Sequence, residues 1–178
     1  SDLISFEYIF TSAEYDGWAC SPYNDIFGFF LSGPNIDGVF ENNAVNLALV
    51  PDPNNPGEYT NTPVTASTIT GGVGSAGDEE TCNGIDPNWE DYQIFYNVNN
   101  TNYLNDFDGM DGFTDPLIAK YSVVPCETYH IKLAISNVVD NSLQSAVILT
   151  EGSFSSPPVN QIEVESNVVN LFKLSVYN

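Results

Sequence analysis

The chain has no arginine, one histidine and only three basic side chains, Lys120, Lys132 and Lys173, against 24 Asp and Glu, for a formal net charge of −21. The missing guanidinium forks are the groups that most often grip phosphate. The field left by the acids repels nucleic acid and anionic membrane surfaces and attracts cations. Nucleic acid is therefore excluded as a partner, and calcium is the cofactor such a surface invites. No apolar run approaches the ~20 residues of a membrane span, and no basic segment precedes a signal-type stretch. Membrane insertion is not expected, and the chain reads as a mature or internal segment whose export signal lies elsewhere. This charge imbalance is commonly tolerated in a secreted or halophilic setting.

Catalytic groups are equally scarce. The one histidine, His130, sits in the alternating run Tyr129-His130-Ile131-Lys132-Leu133-Ala134-Ile135, which places it with Lys132 on the polar face of a strand. A Ser-His-Asp triad would need this residue, and no GxSxG elbow accompanies it. Two carboxylates suffice for a glycosidase, but 24 acids put some pair at the right separation by chance. The chain reads as non-catalytic. The cysteines Cys20, Cys82 and Cys126 show no CxxC spacing, which argues against zinc. An odd count allows one disulfide and one thiol, and the sequence does not choose the pair.

What is present suffices to fold. With 42% hydrophobic and 13% aromatic residues over 178 positions, a domain of this size hides roughly 70% of its unfolded surface. Short runs rich in aromatic and β-branched residues alternate with Gly, Pro, Asn and Asp, the pattern of an all-β chain. Leu3 to Phe10 alternates, with Ile4, Phe6, Tyr8 and Phe10 on one face. Ile26 to Leu31 is apolar on both faces and reads as a central strand. Val45 to Val50, Val64 to Thr70, Tyr92 to Val98, Leu117 to Val124, Tyr129 to Ser136, Ala146 to Leu149 and Val168 to Val176 follow. No window supports an amphipathic helix of 12 or more residues. Nine to ten strands predict an antiparallel two-sheet β-sandwich, jelly-roll-like. The Ser155–Pro158 stretch reads as a hinge, dividing a β-sandwich over 1–158 from a strand segment over 159–178 suited to a neighbouring subunit.

Three groups of residues carry candidate sites. Closely spaced carboxylates let several hard oxygens converge on calcium. Asp106, Asp108 and Asp111, in the Asp-Gly-rich run from Asp106 to Asp115, form one such set, with paired Asp-Gly turns as the plainer reading. Glu14, Asp25 and Asp140 form a second, with solvated loops as the alternative. Rings in loop-like contexts beside amides and acids, namely Trp18, Trp89, Tyr15 and Tyr23, are what a glycan-stacking surface requires. Their alternative is roofing the edge of the core.

Several short strings then occur in order: Phe6 to Tyr15 (FEYIFTSAEY), Asn24 to Pro34 (NDIFGFFLSGP), Asn46 to Pro51 (NLALVP), Asp111 to Thr114 (DGFT), Pro125 to Ile135 (PCETYHIKLAI) and Glu151 to Phe154 (EGSF). Together they resemble the choice-of-anchor L domain of Bacteroidota surface proteins. The resemblance implies an extracellular or outer cell-surface β-domain, often exported by the type IX route and fixed by a separate sorting element. Its context suggests an adhesin or filament-forming module, whose partners are further copies of itself or host and environmental glycans and surface proteins. A carbohydrate-binding module is the second reading and a glycosidase the third.

Two departures accompany the resemblance. In the run from Ile135 to Ser145, Asn137 and Gln144 stand where family members carry Asp, so Asp140 alone keeps its charge and any cation held there is held less tightly. The Phe6 string also lies almost at the start of the chain, which the resemblance reads as an upstream strand cleaved away or supplied by another subunit.

Overall fold

A computed structural model describes residues 2–99 and 109–156 and the backbone of 173–175. In chain order the strands are β1 (Leu3–Ser12), β2 (Ile26–Ser32), β3 (Val45–Asn46), β4 (Leu49–Pro51), β5 (Tyr59–Pro63), β6 (Tyr96–Val98), β7 (Gly112–Thr114), β8 (Leu117–Ser122), β9 (His130–Ser136), β10 (Ser145–Leu149) and β11 (Lys173–Ser175), with one short helix, α1 (Glu79–Ile85), between β5 and β6. All the described strand pairs are antiparallel. The larger sheet runs β11-β10-β1-β7-β6 with β8 also on β1, the smaller runs β3-β2-β9, and β4 pairs with β5. The chain is all-β, with its sheets packed as a sandwich.

The longest strand, β1, organises the larger sheet because both of its edges are occupied. On one side β8 pairs with Leu3 to Tyr8 and β7 with Thr11 and Ser12; on the other β10 pairs with Tyr8 to Ser12. At the junction of β7 and β8 the Phe10 amide would lack a ladder partner. It donates instead to Thr114 Oγ1 at 3.1 Å, as a buried amide must find an acceptor.

The predicted alternation of β1 holds: Ile4, Phe6, Tyr8 and Phe10 all point into the core. They meet β2, the centre of the smaller sheet, whose Phe27, Phe29 and Leu31 face them. Phe6 stands edge-on to Phe29 at 4.1 Å, and Tyr8 lies 5.7 Å from Phe27 and 5.2 Å from Phe29. Each such aromatic pair adds about 0.5–1.5 kcal/mol beyond the area it buries. The other face of β2 is also apolar because Phe30 meets Phe40 edge-on there. Gly28 leaves room for that ring, since a Cβ would fall 2.6 Å from Phe30.

Three expected strands are altered, each by side chains that bond the nearby backbone. The run Val45 to Val50 splits between two sheets because Asn46 Oδ1 accepts from both Phe29 N and Ala48 N at 3.0 Å, turning the chain. The run Val64 to Thr70 is a buried turn. Thr65 N donates to Thr68 Oγ1, while Ser67 N and Thr68 N donate to Thr65 Oγ1. Only the end of Tyr92 to Val98 is strand. Ahead of it Trp89–Phe95 is a 3-10 turn anchored on Asp86, whose carboxylate accepts from Asn88 N, Tyr92 Oη and Thr62 Oγ1.

A disulfide joins Cys20, in the loop after β1, to Cys82 in α1, across 62 residues of sequence; Cys126 is free and exposed. Closing a loop of that length stabilises the fold by about 4 kcal/mol in the chain-entropy account.

Candidate functional site

One end of the sandwich is closed by carboxyl and hydroxyl groups. Ser12 ends β1, Glu14 follows in a tight turn, Asp25 immediately precedes β2 and Ser145 opens β10; all four are buried, Glu14 and Asp25 at 1% exposure. Glu14 Oε2 accepts from Asp25 N at 2.7 Å, and Asp25 accepts from Ser145 Oγ at 2.7 Å and from Val138 N at 3.3 Å. Ser145 has one proton and gives it to the carboxylate, so the 2.7 Å contact with Ser12 Oγ is donated by Ser12. Ser12 in turn accepts from Glu14 N at 3.0 Å. The network ties the ends of both sheets to the loop before β10.

Desolvation is the main force on both acids. Burial lifts the Glu14 carboxyl to about 7, against which the Asp25 amide bond pulls down and the Asp25 charge pushes up. Asp25 is also raised, first by burial, though its bonds from Ser145 and Val138 oppose the rise. The interaction of the two side chains raises Glu14 further and opposes the rise of Asp25. Paired acids with separated affinities can perform acid–base chemistry when a cleft reaches them. Neither residue lines any of the four described grooves, so here they serve as a staple.

Of the expected cation ligands, Glu14 and Asp25 are thus brought together. Asp140 is exposed in the loop before β10, where its charge reaches both acids and its carboxylate accepts from Ser142 N. Asn137 and Gln144, the neutral departures noted above, occupy the same loop, and Gln144 O accepts from Ala13 N. Asp111 is held elsewhere, just before β7; partial burial and then the charge of Asp16 raise its carboxyl, and Asp16 accepts from Tyr96 Oη at 2.9 Å. Asp106 and Asp108 lie outside the described residues. Among the described residues no three His, Cys, Asp or Glu side chains are grouped so as to hold a metal ion.

The expected glycan-stacking rings separate into two classes. Tyr15 is fully enclosed against Phe10 and Tyr96, and Trp89 is 3% exposed with its indole N–H on Asn83. Neither offers a face to a ligand, because both fill space beneath the loops they were expected to decorate. Trp18 and Tyr23 do remain at the surface, edge-on at 5.0 Å, with Trp18 39% exposed.

The opposite end of β1 has a different chemistry. Phe6, Phe29, Ile131, Leu133, Leu149 and Phe154 line an apolar groove of about 330 Å³ between the sheets, beside the end of β10. Phe154 stacks on Phe6 at 6.0 Å while staying 62% exposed. Next to it, Ser155 and Ser5 exchange backbone bonds of 2.8 and 3.0 Å, so the chain stays on the edge of β1 up to that point. The outer edge of β10 carries β11, with Ala146, Val147 and Ile148 opposite Ser175, Leu174 and Lys173. Sequence reasoning missed this groove, although Phe154 after a Gly-Ser turn was a usable sign of an apolar residue without a strand to bury it.

The choice-of-anchor L domain model matches residues 1–155. The chain belongs to the choice-of-anchor L family. No curated protein and no solved structure is significantly similar to it. Choice-of-anchor L domains are cell-surface modules and not a known enzyme family. Among the described residues no helix is long and apolar enough to cross a membrane. The match takes in the acid staple, the Trp18–Tyr23 pair and the apolar groove, and stops at Ser155. Strand β11 therefore lies beyond the choice-of-anchor L unit whose sheet it extends.

Proposed function

We propose that this choice-of-anchor L domain is a non-catalytic extracellular module of an adhesin or surface filament. The observation that carries the reading is the placement of β11. A segment outside the family unit supplies a strand to that unit's open edge, which is how modules are joined by β-augmentation. The groups that would argue for chemistry support the same reading. Glu14 and Asp25 are enclosed and mutually satisfied, and His130 is an exposed strand residue without an acidic partner among the described hydrogen bonds and ion pairs. The acidic surface keeps individual modules apart until a specific contact forms.

The test is direct observation of the purified chain by electron microscopy and light scattering at high concentration, with and without calcium, beside an adhesion assay of cells displaying it. Oligomers, filaments or adhesion support the reading. A monomer that neither assembles nor adheres removes it.

A second reading, carbohydrate binding, is favoured by one observation, the exposed Trp18 edge-on to the half-buried Tyr23. Glycan-array binding that disappears in Trp18→Ala supports it, and binding unchanged in that variant takes Trp18 out of the site.

A further inference from the structure

We infer that the outer edge of β10 is a strand acceptor whose partner in the assembled state is the Lys173–Ser175 strand of a second copy of this chain, so that copies join head to tail. The inference deepens the assembly reading above and rests on it.

An exposed sheet edge presents unpaired amides and carbonyls and is a template for another strand. Here the family unit ends at Ser155, and among the described residues beyond it β11 is what covers the outer edge of β10. The pairing is antiparallel over Ala146 to Ile148, so backbone hydrogen bonds can supply affinity without any particular side chain. Specificity comes from what lies alongside. The apolar groove lined by Phe6, Phe29, Ile131, Leu133, Leu149 and Phe154 opens next to the end of β10 and is ready to take alternate side chains of an incoming strand. The sequence leading into β11, Val168-Val169-Asn170-Leu171-Phe172, carries apolar residues of the kind such a groove accepts.

The connection admits a second copy as well as closure on the same body. Strands joined within one antiparallel hairpin use about 2–5 linking residues, whereas 150–172 separate β10 from β11, sixteen of them, 157–172, beyond Ser156. Those sixteen positions reach roughly 50 Å when extended, compared with a radius of gyration of about 15 Å for a 155-residue domain. A tether of that length presents the strand to a neighbour's edge as easily as to its own, the condition under which identical elements exchange between protomers.

Charge points the same way. Residues 157–178 hold Glu163, Glu165 and Lys173, a net of −1, so the remaining −20 resides in the body. The tail is the part of the chain that can approach another body without strong repulsion.

The experiment uses the full chain in a Cys126→Ser background, which leaves the Cys20–Cys82 disulfide intact. Ile148→Cys and Lys173→Cys are made in separate chains, because these positions face each other in the β10–β11 register. Mixed at high concentration and oxidised in air, the two are expected to give a covalent dimer containing one of each on non-reducing electrophoresis. A chain carrying both substitutions is expected to give a ladder. A double variant that yields only the internally closed monomer, with no dimer from the mixture, overturns the inference.

Leu174→Pro, also in the full chain, removes a backbone donor from the strand while leaving the choice-of-anchor L unit unaltered. It should lower the average mass in light scattering at least twofold, with a circular dichroism spectrum like the parent's. Oligomers or adhesion that persist in Leu174→Pro overturn the strand inference and leave the surface-module reading standing. A parent chain that neither oligomerises nor adheres and closes only on itself overturns both.

Discussion

The two ends of β1 solve opposite problems with the same strand. At Ser12 the sandwich is sealed: Glu14, Asp25, Ser12 and Ser145 are enclosed and satisfy one another, and the Cys20–Cys82 disulfide holds the loop that carries Glu14. At Phe6 it is open, with an apolar groove, a largely exposed Phe154 and a sheet edge paired by β11 from beyond the family unit. Polar groups are therefore used where the domain closes on itself, and apolar surface is left where it stays open. That ordering follows from cost. A buried polar network is stable only when every member is paired, whereas apolar surface stays available to any complementary strand.

The comparison can be broken at several points, and the largest effect is expected at the sealed end. Converting both Cys20 and Cys82 to serine should lower unfolding free energy by about 4 kcal/mol, measured by urea denaturation. Asp25→Ala should cost about 2–4 kcal/mol in the same assay, because it orphans the Ser145 hydroxyl and the Val138 amide, while the Asp25 backbone N–H still reaches Glu14.

A smaller effect should follow pH. Glu14 takes up its proton near pH 7 in the fold against 4.5 for the free group. The folded state therefore binds more protons than the unfolded state between these values. The stability this contributes is complete below about pH 4.5 and is lost as pH rises through 7. Thermal unfolding should accordingly show a higher Tm at pH 5.5 than at pH 8, by the equivalent of about 1–2 kcal/mol, and Glu14→Gln should flatten the difference. A calcium ion held by Glu14 and Asp25 would reverse the slope, since it favours the ionised acids. Repeating the titration with calcium and with chelator thus decides the cation expectation for this end.

Two substitutions should have still smaller effects. Tyr8 is fully buried and its hydroxyl has no partner among the described residues; burial and the nearby Tyr59 push its ionisation far up. Tyr8→Phe should therefore be neutral or stabilising, by up to about 1 kcal/mol. Phe154→Ala, at the open end, should cost less than about 1 kcal/mol of domain stability, because most of that ring is already in water. Its effect belongs instead in the cross-linking yield, which should fall.

How much of this was legible follows from the range over which each interaction acts. The alternation of Ile4, Phe6, Tyr8 and Phe10 and the two-sided apolar character of β2 are local patterns, and both strands formed as expected. The exposed positions of His130 and Lys132 on β9 were legible for the same reason. The split at Asn46, the Thr65–Thr68 turn and the Asp86-anchored 3-10 segment were not, because one side-chain hydrogen bond overrides a β-rich composition without altering it. Glu14 and Asp25 could be named together, in one set with Asp140, but Ser12 and Ser145 could not. Nothing in a serine at a strand end signals a carboxylate partner 120 residues away, as Ser145 has in Asp25. Between stacking surface and core roof the sequence did not choose for Trp89 and Tyr15; both are buried, because a ring in a polar stretch can be covered by that stretch.

The sequence by itself determined an all-β, strongly acidic, cation-poor domain with two candidate carboxylate sets and the strings of its family, since composition and alternation are properties of neighbouring residues. The disulfide partner, the enclosure of the acids and the coexistence of a sealed and an open end on one strand were decided by tertiary structure alone. Each depends on which distant segments are brought together, and antiparallel pairing sets that through register and burial rather than through any local signal.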